Sequence, residues 1–189
     1  MVPSAVINEA VVFCTAIAMW ALIKRTPKEK MHENFRYFTV LSNLFCALTA
    51  LILMACELFG IMPLWAVVLK YMGTVAVTVT FLTVFLYLLP ASRSLEGLLN
   101  TWPELIMHLI TPVLAILSFL CFEKKGLSGW VVLLGLLPVL LYGWLYLDRA
   151  VATKAWPDIY GFNKNGKWRL SFGIMAIGTV AVAVALWLL

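Results

Sequence analysis

Residues Thr101–Phe122 read TWPELIMHLITPVLAILSFLCF, a run apolar enough to cross a lipid bilayer that nonetheless carries an imidazole, His108. A helix needs about 20 residues to cross about 30 Å of hydrocarbon. Lipid offers no hydrogen bonds to an exposed peptide group, so the run is predicted to be helical. Working outward, the same criterion marks six runs, at about 4–23, 37–59, 64–89, 102–122, 128–147 and 169–189. They use most of the chain and leave no soluble domain of useful size. The expected fold class is all-α, one polytopic bundle of six transmembrane helices spanning 1–189.

Composition agrees with this class. Of 189 residues, 63% are hydrophobic and 12% charged, against about 25% charged in an ordinary soluble domain. The net charge of +5 could suggest nucleic acid, but its distribution does not. Lys24, Arg25, Lys28, Lys30 and Arg36 follow the first run, Arg93 follows the third, and Arg149, Lys154, Lys164, Lys167 and Arg169 follow the fifth. The alternate side has only Lys124 and Lys125, with Lys70 inside the third run. Such alternation is the positive-inside signature. It predicts an integral protein of the plasma (cytoplasmic) membrane, with both termini outside and the basic loops in the cytoplasm. The first run is not a convincing cleavable signal, since it lacks a basic start, carries Glu9, and is followed at once by Lys24 and Arg25.

Cys14, Cys46, Cys56 and Cys121 contain no CxxC pair and read as buried small hydrophobes. Cys56 and Cys121 both fall near the outer face, but nothing in the sequence supports a disulfide between them. Two loops are longer than the rest. KRTPKEKMHENFR is charged and reads as a solvated cytoplasmic loop. DRAVATKAWPDIYGFNKNGKWR mixes Trp156, Tyr160, Phe162 and Trp168 with Pro157, Asp158, Gly161 and Gly166. It is either a simple interfacial anchor or a structured lid over a site that opens to the cytoplasmic leaflet.

Titratable groups at membrane depth cost free energy and mark candidate functional sites, which puts His108 first. The second and fourth runs both start at the cytoplasmic face, and both carry their most polar turns there. In FRYFTVLSNLF, helical spacing puts Thr39 and Asn43 on one face, with Ser42 alongside and Arg36 one turn before. In the fourth run Pro103 suits a first helical turn, and Glu104 and His108 share a face followed by Thr111 and Pro112. Thr83 and Tyr87 end the third run on the same side.

A hydroxyl and an imidazole at one depth suggest nucleophilic acyl chemistry, because a hydroxyl attacks well only when a neighbouring base takes its proton. Asn43, Ser42 or a backbone N–H could stabilise the acyl oxyanion, Glu104 could orient His108, and Arg36 could hold a carboxylate or phosphate. Each residue also has a structural reading. Thr, Ser and Asn in membrane helices commonly back-bond or hold helices together. Glu104 suits the positive end of a helix dipole, and Lys70 would snorkel to the outer interface. By counting from the loops, His108 lies roughly 6 Å deeper than Thr39, a gap that packing must close. No ligand set for a metal is evident, and no cofactor is expected.

FRYFTVLSNLF, WPELIMHLITP, LLPVLLYGWLYLDR and AWPDIYGF follow one another in an order that resembles the androgen-induced-gene and androgen-dependent TFPI-regulating membrane proteins, and most of all their bacterial relatives. The resemblance covers most of the chain. It implies a multi-pass hydrolase of fatty acid esters of hydroxy fatty acids, with Thr39 as nucleophile and His108 as base. Ser42-Asn43 after the threonine, and a less polar segment around His108, depart from the animal pattern. A related branch implies acyl transfer to other alcohols. The partners expected are therefore a lipid or fatty acyl ester substrate and the membrane, with no nucleic acid and an open oligomeric state. A small transporter or channel, or a non-catalytic lipid-binding protein, is the rival reading. Transport would need polar residues lining a route across both leaflets, whereas the outer half offers mainly Glu9, Glu57 and Lys70.

Overall fold

The computed structural model describes residues 3–92 and 99–189. Arg93, counted above among the basic loop residues, lies outside them. The described residues form an all-α bundle with six helices long and apolar enough to span a membrane: α1 (Pro3–Arg25), α2 (Phe38–Leu58), α3 (Leu64–Leu88), α4 (Trp102–Glu123), α5 (Val131–Ala152) and α6 (Trp168–Leu188). The protein is an integral membrane protein. Its flanks expose large apolar side chains such as Phe13, Leu133, Leu141 and Ile177, which belong in lipid. Exposed tryptophans ring both ends, Trp20, Trp102 and Trp144 at one and Trp65 and Trp130 at the other, the depth that indole favours.

Helix ends follow local chemistry. Gly60, at φ +72, ends α2, and the Ile61 N–H donates to the Cys56 carbonyl across it, a closure that needs left-handed backbone. Pro63 then precedes α3. The fifth span differs from its sequence reading of 128–147, since α5 starts at Val131 and runs on to Ala152. Its last turn carries Asp148 and Arg149. A hydropathy reading stops at such charges, but a helix continues through them once the side chains reach the polar interface. The described cysteines are free thiols, so Cys56 and Cys121 form no disulfide.

Helix α3 is the centre of the bundle, with 56% of its apolar window buried against 22% for α6. Close approach needs small residues: a Cβ on Gly73 would overlap Thr49 of α2, and one on Gly135 would press into Tyr71. Single-residue widenings of the helical turn occur at Thr83–Leu88, Ile106–Ile110, Phe119–Glu123 and Leu147–Ala152. Two have a visible cause. Proline has no N–H and crowds the carbonyl four residues back, which is Leu86 for Pro90 and His108 for Pro112.

The end of the bundle at which α3 begins corrects the reading of Lys70. Its ammonium does not snorkel; the side chain is 0% exposed and lies 3.8 Å from the equally buried Glu123 carboxylate. Lys70 also donates to Asn8 Oδ1, while Asn8 Nδ2 donates to Glu123 Oε1 at 2.7 Å and the Ser118 hydroxyl donates to the same oxygen at 2.5 Å. The Ser4 hydroxyl donates to Glu57. A buried charge is tolerated only when paired and hydrogen-bonded, and here four helices supply the partners. A layer of Val11, Cys46, Ala50, Val77 and Ala115, each 0% exposed, packs next to it toward the bundle centre.

Candidate active site

The N-terminal ends of α2 and α4 hold the second polar group. Tyr37 is extended and α2 begins at Phe38, so Thr39 sits in the first turn, where backbone N–H groups have no intrahelical partner. The Phe38 N–H is satisfied from outside by the Tyr160 hydroxyl at 2.9 Å. His108 lies on the widened turn Ile106–Ile110 of α4 and is 8% exposed. Its Nε2 stands 3.3 Å from Thr39 Oγ1. The depth gap counted from the loops closes because helical side chains lean toward the N-terminus, so the longer imidazole reaches back along α4 to the level of Thr39.

The structure gives the other sequence candidates different partners. Asn43 Nδ2 donates to the Thr39 carbonyl at 2.8 Å and to the Met107 carbonyl at 3.0 Å. It staples α2 to α4 across the Thr39–His108 pair, and its donor is committed to backbone, not directed at an oxyanion. The Ser42 hydroxyl lies 3.2 Å from the Thr39 carbonyl and 2.8 Å from Thr80 Oγ1. Glu104 is engaged at the start of α4. It accepts from Arg25 at 3.2 Å and from the Thr101 N–H at 3.1 Å, a capping box at the start of α4. The Arg36 guanidinium stands 3.6 Å from Glu33, and the Arg36 carbonyl accepts from Tyr142 at 2.6 Å.

Thr39 also lines a cavity of about 350 Å3 bounded by α3, α5, α6 and the aromatic loop. Thr83, Tyr87, Tyr160 and Ser171 share one end with Thr39, and the walls beyond are Val79, Val139, Met175, Gly178 and Val182. Leu86 and Ile174 line it as well and are 72% and 63% exposed. The cavity therefore opens sideways, between α3 and α6, onto the lipid-facing flank.

The aromatic loop folds over this end as a structured cover. Asp158 accepts from the Tyr146 hydroxyl and from the Phe162 and Asn163 N–H groups, each at 2.8 Å. The Tyr160 N–H donates to the Tyr146 hydroxyl at 3.0 Å, and Tyr142, Tyr146, Tyr160 and Phe162 pack ring on ring. Loss of water around the Tyr160 phenol pushes its pKa up, which keeps it a neutral hydroxyl. The sequence reading missed Tyr142 and Tyr146, although their i, i+4 spacing on one face of α5 was a usable signal. Asp158→Ala is expected to cost the loop about 1.5–3 kcal/mol, the worth of hydrogen bonds to a charged acceptor. Limited trypsin digestion would register this as cleavage at Lys154, Lys164 or Lys167 at least about tenfold faster than in wild type.

Among family models, curated proteins and solved structures, none matches this chain.

Proposed function

We propose that this protein is an intramembrane hydrolase of lipid esters that takes its substrate sideways from the cytoplasmic leaflet. The observation that carries the reading is one atom in two settings. Thr39 Oγ1 lies 3.3 Å from His108 Nε2 and belongs to the wall of an apolar cavity open to lipid.

In the proposed reaction an acyl chain occupies the cavity with its ester carbonyl at Thr39. Thr39 Oγ attacks the carbonyl carbon while His108 Nε2 takes the hydroxyl proton. The oxyanion is met by the Thr39 N–H, since the Phe38 and Val40 N–H groups beside it already have acceptors, and by the positive end of the α2 dipole. Collapse breaks the bond to the alcohol oxygen, which leaves with the proton from His108. Water then attacks the Thr39 ester, gives a proton to His108, and releases the fatty acid as the proton returns to Thr39 Oγ. Another alcohol in place of water turns the same acyl-enzyme to acyl transfer. Asn43 acts as a positioning residue, holding the backbones of Thr39 and Met107 together. The family resemblance suggests fatty acid esters of hydroxy fatty acids as the substrate class.

Two features favour this reading over transport. A buried apolar cluster of Val11, Cys46, Ala50, Val77 and Ala115 lies between the two polar groups, and the hydroxyls of Thr49, Thr74 and Thr78 at that depth donate to carbonyls of their own helices. The basic loops also gather at the Thr39 end: Arg25 reaches Thr101 and Glu104, and Tyr142 meets Arg36. In the orientation proposed, that end faces the cytoplasm and both termini lie outside a cytoplasmic membrane.

A fluorophosphonate probe tests the nucleophile directly. Peptide mass spectrometry is expected to place the label on Thr39, with none on Thr39→Ala. Labelling of a different residue, or equal labelling of both proteins, would overturn the assignment.

A further inference from the structure

We infer that the cavity beside Thr39 is a blind socket for a single acyl tail, and that the open space at Gly178 sets the tail length it accepts. The inference rests on the reading that the reacting carbonyl sits at Thr39, and extends it to the selection of substrate.

The polarity of the walls orients the ligand. Hydroxyl groups of Thr39, Thr83, Tyr87 and Ser171 lie at one end, and the far end is formed by Val79, Val139, Met175 and Val182. Thr179 is the polar residue farthest along, and its hydroxyl is committed to the Met175 carbonyl at 2.8 Å. An amphiphile therefore enters with its polar group at Thr39 and its tail pointing toward Val182. From Ser171 to Val182 the lining of α6 rises about 16 Å, which suits roughly a dozen methylenes in extended form. A cavity of about 350 Å3 holds one such chain, at the small end of the usual range for ligand sites.

Beyond Val182 the bundle is packed, with Tyr71, Phe119, Ala183 and Leu186 buried in one cluster. Tyr71 is fully buried, donates to the Ala183 carbonyl at 2.7 Å, and lies with its ring centroid 5.5 Å from that of Phe119. Its ring fills the space that a side chain at Gly135 would need. A hydrocarbon tail gains little from exchanging one apolar setting for another, so selection by length must come from fit. A tail longer than the socket has to fold back or leave.

Gly178 is where that fit is adjustable. It lines the cavity, and an added Cβ would meet nothing within 4 Å. Gly178 is exposed on the open side of the cavity, so a side chain placed there takes up space at the cavity wall and displaces no packed neighbour. Gly178 lies four residues before Val182 on α6, so a leucine would block about the last 6 Å.

Binding of saturated fatty acids graded from octanoate to arachidate, measured by native mass spectrometry on the purified protein in detergent, tests the socket. Wild type is expected to show a cutoff just beyond about a dozen methylenes, with binding at least about tenfold weaker above it. Gly178→Leu is expected to lower the cutoff by roughly four carbons, and Val182→Ala to raise it. If Gly178→Leu fails to fold, Gly178→Ala and Val182→Ala decide the question through smaller shifts in opposite directions. A wild-type profile without a cutoff, or a cutoff that ignores the folded Gly178 and Val182 variants, would overturn the inference. A shifting cutoff in a protein that cleaves no ester would leave the socket standing and remove the catalytic reading. Ester cleavage indifferent to tail length would do the reverse.

Discussion

Replacing His108 by alanine is expected to slow ester hydrolysis by about 10²–10⁴-fold, the usual worth of a positioned general base. The loss should appear in kcat more than in KM, because the imidazole acts on a proton in flight and not on the resting acyl chain. Thr39→Ala should lose at least as much. The double variant should be no worse than the more damaged single one, since a nucleophile and its base act as a unit. Thr39→Ser should retain measurable activity, as it keeps the hydroxyl 3.3 Å from Nε2. Thr78→Val supplies the control. Its hydroxyl is buried too, but it donates to the Thr74 carbonyl and lies outside the cavity wall, so turnover should stay within a few fold. Initial rates on a fatty acyl ester in mixed micelles, measured for wild type and these five variants, would decide the matter. Equal rates in wild type and His108→Ala would end the proposal that this pair carries the chemistry.

The largest stability effect is expected at the other end of the bundle. Lys70→Met removes the cation that faces Glu123 in a wholly buried pair. Breaking such a pair from one side leaves an uncompensated charge and costs about 3–5 kcal/mol. Adding Glu123→Gln should restore most of that loss. The neutral amide can still accept from Asn8 and Ser118, which donate to Glu123 Oε1 at 2.7 Å and 2.5 Å. The pair should thus show a coupling energy toward the upper part of the about 0.5–3 kcal/mol seen for interacting residues. Thermal unfolding in detergent reads this directly. Additive losses from the two substitutions would mean that Lys70 and Glu123 stabilise the bundle independently.

These two sites were unequally visible in the sequence. The Thr39 and His108 turns stood out because polar residues interrupted runs of otherwise apolar side chains at one membrane face. Their partners were less legible. Asn43, weighed as an oxyanion donor, holds two backbones together instead, because a donor this deep is drawn to the nearest carbonyls, Thr39 and Met107. Glu104, weighed as the group orienting His108, is engaged by Arg25 and Thr101. The basic residue that captures it ends α1, and nothing local to α4 announces it. Lys70 was misread for a similar reason. A lone lysine near a helix end has the option of snorkelling, and only the convergence of Asn8 and Glu123 from α1 and α4 removes it.

The number of helices, their approximate limits and the end of the bundle at which basic loops gather were determined by the sequence alone. Those properties depend on local hydropathy, on the length needed to cross hydrocarbon and on charge between the runs. Which faces meet was decided only in the folded bundle. Lipid tails are as apolar as the side chains they touch, so hydropathy does not tell a lipid-facing stripe from a buried one, and association turns on shape and on a few hydrogen bonds. The contact between Thr39 and His108 spans 69 positions in the chain, and the cavity beside it is walled by four helices and a loop. Both exist because small residues and widened turns let rods of similar composition settle in one mutual rotation.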